Sequence, residues 1–255
     1  MKLQKYKRDS EFSYAMGATL VAELLKTHPD AITRVFLRPV AKHGDDLEKI
    51  LSALKQRNIE IIESTKAFNI LGAKDNCLLM AEFRKAAISV MDWQVTPDTK
   101  GSFFSSIALV HPSDSGNLGT IMRTAVAFGF RFLEIVQPAI DPYDPKTIRA
   151  SMGAIFHLVI TTRSEDEYYE SAQNAAHCDK FAFILNDQAR TLETINANDY
   201  KDACISLIFG NEAAGLPADF CAKTGATPIY IPQSENVDSL NLSIAAGIAM
   251  HHFRR

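Results

Sequence analysis

The stretch Ile231-Pro232-Gln233-Ser234-Glu235-Asn236-Val237-Asp238-Ser239-Leu240-Asn241-Leu242-Ser243 reads as a strand end, a polar loop and a helix opened by Ser239. Two other segments share this build. Ile208-Phe209-Gly210-Asn211-Glu212 leaves a continuous apolar run beginning at Ile205. His111-Pro112-Ser113-Asp114-Ser115-Gly116-Asn117 leaves a second run, Ile107–Val110, and enters a helix expected over Asn117–Phe128, with Gly129 at its C-cap. Apolar runs without alternation mark strands buried on both faces, as in a parallel sheet. Parallel sheets bind ligands at the carboxyl ends of their strands. All three polar segments therefore fall where a site is expected.

Working outward, strands are expected at Phe132–Val136, Leu158–Thr161, Phe181–Leu185, Ile205–Phe209 and Ile229–Ile231. A last helix over Ser239–Phe253 carries a face of small residues, Ala245, Ala246 and Ala249. Residues 104–255 thus read as an α/β domain with a mostly parallel open sheet. Upstream, the pattern gives a helix over Ser10–Thr27, a strand at Ile32–Leu37, a helix at Asp45–Arg57, a short strand at Ile59–Ile62, a helix at Thr65–Leu71 and a strand at Cys77–Phe83. That is a small α/β domain over residues 1–95. Periodicity then breaks across Asp92–Ser102, with Pro97, Asp98 and Gly101, and the linker is placed at 96–103.

An apolar fraction of 47% and a charged fraction of 22% are those of an ordinary globular chain. No run approaches the roughly 18 apolar residues of a membrane span, and no apolar segment follows the basic start Met1–Arg8, so no membrane is expected and the cytoplasm is the default. Cys77, Cys178, Cys204 and Cys221 form no C-x-x-C pair and no zinc-like spacing with histidine. They read as buried thiols in a reducing compartment, with no metal. The net charge of −3 divides unevenly, +3 over residues 1–100 and −6 over 101–255. The basic portion permits an RNA backbone there, although a solvated surface would look much the same.

Two nucleotide readings fail. No G-x-G-x-x-G occurs. Gly210-Asn211-Glu212-Ala213-Ala214-Gly215 has the gap of a phosphate loop, but Leu216-Pro217 stands where lysine and a hydroxyl residue are required.

Taken in order, Asn117-Leu118-Gly119-Thr120-Ile121-Met122-Arg123-Thr124-Ala125, Ile208–Glu212 and Ile231–Ser243 resemble the three motifs of the SpoU/TrmH family. These are SPOUT-class methyltransferases acting on ribose 2′-hydroxyls of RNA. Asp144–Ala154 resembles the family's segment between the first two motifs, so the resemblance covers 105–255. It implies a trefoil knot near the C-terminus, S-adenosylmethionine held there largely by main chain, and a homodimer with catalytic groups near the interface. Carried over, the cofactor residues are Gly210, Asn211, Ile231 and Leu240, and the catalytic set is Arg123, Asn117, Glu212, Ser239 and Asn241. Arg123 would help the hydroxyl proton leave. A charged guanidinium has no spare acceptor, so Arg123 acts either as a tuned base or by stabilising negative charge. Asn117 and Asn241 would fix the nucleotide or Arg123, Ser239 would hydrogen-bond nearby, and Glu212 would anchor the site.

Many relatives read Ile-Pro-Met-x-Gly where this chain has Ile231-Pro232-Gln233-Ser234-Glu235, which bears on the loop beside the cofactor's methionine tail. The N-terminal portion resembles the family's ribosomal-protein-like substrate domain, which tilts the expected substrate towards ribosomal RNA over tRNA. The alternatives are a SPOUT enzyme methylating a tRNA nucleotide or a base nitrogen, and a non-catalytic RNA-binding assembly factor. Singly, Arg123 would also suit a surface ion pair, Glu212 a loop cap, and Ser239 with Asn241 an N-cap and first-turn hydrogen bonds.

Overall fold

In the computed structural model, residues 3, 5–39, 44–89, 105–175, 177–186 and 189–254 are described. The expected linker at 96–103 lies outside them. The chain forms two compact units, Met1–Met91 with Asp141–His157, and Asp92–Ile140 with Leu158–Arg255.

The first unit begins with β1 (Phe12–Met16), α1 (Ala18–Thr27), β2 (Ile32–Leu37), α2 (Asp45–Gln56), β3 (Ile61–Glu63), α3 (Thr65–Leu71), β4 (Leu79–Arg84) and α4 (Ala86–Ser89). Its sheet runs β1-β4-β2-β3, with only the β2–β3 pair parallel. One expectation is corrected here. Ser10–Met16 is not the start of a helix. Gly17, at φ 123°, separates β1 from α1, and β1 pairs along its length with β4. The pairing buries Ser13, Tyr14 and Ala15. Tertiary pairing overrides a helical spacing that the apolar residues alone would also satisfy.

The second unit opens with β5 (Ser105–Val110), α5 (Ser115–Ala127) and β6 (Phe132–Val136). Then Asp141–His157, containing α6 (Pro145–Ala150), joins the first unit. There the Tyr6 hydroxyl donates to Asp141, Ser13 Oγ donates to the Tyr143 carbonyl at 2.6 Å, and His157 Nε2 meets Glu23 Oε1 at 2.6 Å. Phe156 packs edge-on against Phe83, with ring centroids 5.6 Å apart.

The second unit resumes with β7 (Val159–Arg163), α7 (Glu165–Asn174), β8 (Cys178–Phe183), β9 (Arg190–Thr191), β10 (Cys204–Phe209), α8 (Phe220–Thr224), β11 (Thr227–Tyr230) and α9 (Leu242–His252). Its seven strands, ordered β7-β6-β5-β10-β8-β11-β9, pair in parallel throughout. The central strands β5 and β10 are almost wholly buried, as their unbroken apolar runs require. No described helix is long and apolar enough to cross a membrane.

Because β10 lies beside β5, the loops leaving their carboxyl ends are neighbours although about a hundred residues separate them. α9 packs on α5, where Gly247 stands near Thr124. The last helix begins three residues later than expected. Asn241, not Ser239, caps it, its side chain accepting from the Ser243 amide at 2.8 Å.

Candidate active site

Three loops at the carboxyl ends of β5, β10 and β11 build the site. After β5 the chain turns at His111, which adopts φ 56°. Its carbonyl accepts from Asn211 Nδ2 at 2.8 Å, tying the first loop to the second. Asp114 caps α5 by accepting the Asn117 amide at 2.7 Å. The helix therefore starts at Ser115, two residues before the expected position.

Glu212 sits at the centre of this arrangement. Its carboxylate accepts from Ser113 N at 3.2 Å, Ser113 Oγ at 2.8 Å, Asp114 N at 3.3 Å and Asn117 Nδ2 at 3.2 Å. Partial burial alone would raise its pKa, but a hydrogen bond from its own backbone amide, with those from Ser113 and Asn117, prevails and holds the carboxyl below the usual glutamate range. Asn117 in turn accepts from Asn241 Nδ2 at 3.0 Å. Asn241 Oδ1 accepts both the amide and the hydroxyl of Ser243, at 2.8 and 2.7 Å. One hydrogen-bonded chain, Glu212–Asn117–Asn241–Ser243, thus links all three motifs.

The second loop is a closed turn. Asn211 N donates to Gly215 O at 3.0 Å and Gly215 N returns to Asn211 O at 2.9 Å, while Asn211 Oδ1 accepts from the amides of Ala213 and Ala214. A Cβ on Gly210 would collide with the backbone of Gly215 and Leu216. Glycine at 210 is thus required by the turn itself, a cause additional to the close approach to a ligand expected from sequence. The side chain of Asn211 is likewise occupied within the loops.

A cleft of about 630 Å³ opens beside these loops, a volume usual for a small-molecule site. Gly210, Asn211, Ile231 and Leu240 all line it, as do Glu212 and Ser239. Neither main-chain group of Leu240 is hydrogen-bonded to a described residue, so both are available to a ligand edge. Gln233 Nε2 donates to the Asp238 carbonyl at 3.2 Å and closes the third loop from within. Glu235 is exposed and does not line the cleft. At the two departures from the family pattern, Gln233 thus lines the cleft and braces the loop, while the Glu235 carboxylate stays off the cleft wall.

Arg123 is not part of this cluster. It lies six residues beyond Asn117 on α5, about 9 Å further along the axis and some 240° around it. It is exposed, lines no wall of the cleft, and its side chain has no hydrogen bond or ion pair to any described residue. The surface ion pair that its residue type alone would suggest is thus absent among the described residues. Ser239 likewise has no hydrogen-bond partner among them.

Sequence reasoning missed Ser113 and His111. The Asp114…Asn117 spacing, an N-cap side chain three residues before the amide it accepts, was the available signal for the earlier helix start and hence for Ser113. The positive φ of His111 had no sequence signal. Among the described residues, no group of three or more histidine, cysteine or carboxylate side chains could hold a metal.

Residues 105–251 match the SpoU rRNA Methylase family. Among curated proteins, a 23S rRNA (guanosine(2553)-2′-O)-methyltransferase of Bacillus subtilis is 31% identical over 141 residues, 55% of this chain and 54% of that one. A 23S rRNA (adenosine(1067)-2′-O)-methyltransferase of Streptomyces laurentii is 30% identical over 148 residues, covering 55% and 50%. The chain spans about half the length of these relatives. Among solved structures, an AdoMet-bound rRNA methyltransferase from Sinorhizobium meliloti superposes with a TM-score of 0.76 at 28% identity, covering 96% of this chain and 87% of that one. The matched span contains all three loops and the chain of side-chain bonds joining them: the protein belongs to the SpoU rRNA methylase family.

Proposed function

We propose that the protein transfers a methyl group from S-adenosylmethionine to a ribose 2′-hydroxyl of RNA, ribosomal RNA in preference to tRNA, and does so as a homodimer in the cytoplasm. The observation that carries this reading is the Glu212–Asn117–Asn241 chain, which holds three separate motif loops around one cleft. A structural scaffold would not need polar side chains at all three loops to converge there.

The cleft suits the cofactor. Ile231 and Leu240 supply apolar walls for a flat adenine, and the backbone of Leu240 offers its hydrogen-bonding edge. The knot implied by the resemblance would set these walls. Bound S-adenosylmethionine supplies an already activated methyl group. The chain's own task is to orient the hydroxyl and accommodate its proton. Asn117 and Asn241, locked to one another, are positioned to fix the nucleotide. Ser239 offers a hydroxyl at the cleft wall. Arg123, whose side chain has no partner among the described residues, is available for a phosphate or for the developing alkoxide charge. Homodimerisation is supported by Ile244 and Ile248, which are 54% and 40% exposed on α9, the helix that packs against Arg123's own helix. The expected partition gives RNA to the first unit. Its cations Lys5, Lys7, Arg8 and Arg84 are exposed, and Lys85 Nζ donates to the Arg8 carbonyl at 2.7 Å, drawing the two segments together.

Calorimetry tests the cofactor. Binding should be measurable at sub-millimolar S-adenosylmethionine and unchanged by a chelator. No heat at millimolar cofactor, or binding lost on chelation, would refute the reading. For RNA, combined Lys7→Ala and Arg8→Ala substitution should lower affinity and flatten the salt dependence, by about 0.7–0.9 in logarithmic slope for each phosphate contact removed. An unchanged slope would move the RNA surface elsewhere.

A further inference from the structure

Between α7 and the face of the second unit's sheet, reaching the amino-terminal ends of β8 and β10, lies another cavity of about 290 Å³. Phe132, Glu134, Arg163 and Tyr168 line it together with two thiols, Cys178 and Cys204. Cys178 opens β8 and Cys204 opens β10, and the two residues are direct partners in the parallel ladder. Their Sγ atoms stand 2.6 Å apart. Both side chains are only partly buried, and the cavity gives small solutes a path to them.

We propose that Cys178 and Cys204 form a redox-active pair that a hydroperoxide closes into a disulfide. Neighbouring strands lie about 4.8 Å apart, within the Cα separation of about 4.4–6.8 Å that a disulfide spans. Bond formation needs the sulfurs to approach by only about 0.6 Å more, to the usual length of about 2.05 Å. In the first step one thiolate attacks the peroxide O–O bond, takes one oxygen as a sulfenic acid and releases water after protonation. The second thiol then attacks that sulfur, and the hydroxyl departs with the proton as a second water. Two thiols and one hydrogen peroxide thus give one disulfide and two waters, the sulfurs losing two electrons and the peroxide gaining them. Contact with Cys204, together with burial, holds the Cys178 thiol above the usual thiol range.

The bond would close a loop of 26 residues' separation. That loop includes Ile184, Leu185 and Asn186, which line the cofactor cleft. A modification at one edge of the sheet therefore restrains a wall of the cleft at the other.

The test treats the full chain with one equivalent of hydrogen peroxide, alkylates the remaining thiols and maps peptides without reductant. The expected result is a Cys178–Cys204 cross-linked peptide two hydrogens lighter than the reduced pair. Accessible thiols should fall by two, dithiothreitol should restore them, and the melting midpoint should rise by a few degrees in the oxidised form. Cys204→Ser should abolish the cross-link and the rise, whereas Cys221→Ala should leave both. Thiols that survive peroxide unchanged would overturn the proposal. So would sulfinic acid at either position in place of the cross-link, or pairing of either with Cys77 or Cys221. Peptide mapping of the unsubstituted protein decides the question even where a variant fails to fold.

Discussion

Arg123→Ala is expected to lower single-turnover methylation by about 10²–10⁴-fold, roughly 3–5 kcal/mol of barrier, while S-adenosylmethionine affinity stays nearly constant. The structure makes this substitution unusually clean. Arg123 is exposed, lines no wall of the cleft and its side chain has no partner among the described residues, so its removal breaks no side-chain bond to them. Lost turnover in a variant of unchanged melting midpoint is therefore a loss of chemistry and not of fold. Arg123→Lys separates the two roles. Lysine keeps the charge without the planar fork, so partial rescue indicates electrostatic stabilisation, and no rescue indicates bidentate geometry or guanidine chemistry. A surface residue without function would instead change stability by well under 1 kcal/mol and leave turnover intact. Near-wild-type rates in the alanine variant would end the catalytic assignment. Light scattering on the same preparations, beside Ile248→Glu, examines the homodimer. The glutamate should split it, and a monomeric parent protein would remove that part of the reading.

The second large effect is expected at Glu212. Four of the hydrogen bonds its carboxylate accepts fasten the loop after β5 to the loop after β10. Glu212→Gln keeps the shape but turns one acceptor oxygen into a donor, which then faces N–H groups. Charge-assisted bonds are worth about 1.5–3 kcal/mol each, less where solvent reaches them as here. Cofactor affinity should fall at least tenfold and turnover with it, because Asn117 loses the partner that orients it towards Asn241. The pH dependence follows from the lowered folded-state pKa. A depressed carboxylate contributes stability that is fully present above the unfolded value, about 4.3, and is lost as pH falls through the folded one. The parent protein should therefore weaken on acidification below pH about 4.3 more steeply than Glu212→Gln. Superimposable acid limbs would show that the carboxylate is not what holds the loops.

Much of this was legible beforehand, for identifiable reasons. β2 and β6 fall at their expected residues because Ile32–Leu37 and Phe132–Val136 are dense in β-branched, aromatic and leucine side chains, which Thr33, Arg34 and Glu134 interrupt without breaking the strand pattern. The motif loops were recognisable because a parallel sheet places polar strand-to-helix turns at one edge. β1 was not, since its extended form depends on pairing with β4, and neither was the start of α9 at Leu242, since Ser239 and Asn241 are both acceptable caps. The bonds from Glu212 to Asn117 and from Asn117 to Asn241 were invisible for a different reason. They depend on β10 lying beside β5, and strand order is a global property that local pattern does not encode. The contact of Cys178 with Cys204 was hidden by the same cause.

The assignment of Asp141–His157 to the first unit bears on how the protein is made. On a ribosome, which adds roughly 5–20 residues per second, an uninterrupted domain can fold as soon as it clears the exit. Here the four strands of the first unit emerge early, but Tyr6, Ser13, Glu23 and Phe83 wait for partners encoded at residues 141–157. By then β5, α5 and β6 have also been synthesised without the strands β7 and β10 that flank them in the finished sheet. The first unit has all four of its strands by Arg84 but cannot finish before residue 157, and a nascent chain stalled short of it would carry a complete first sheet without its packing segment together with an unfinished second sheet.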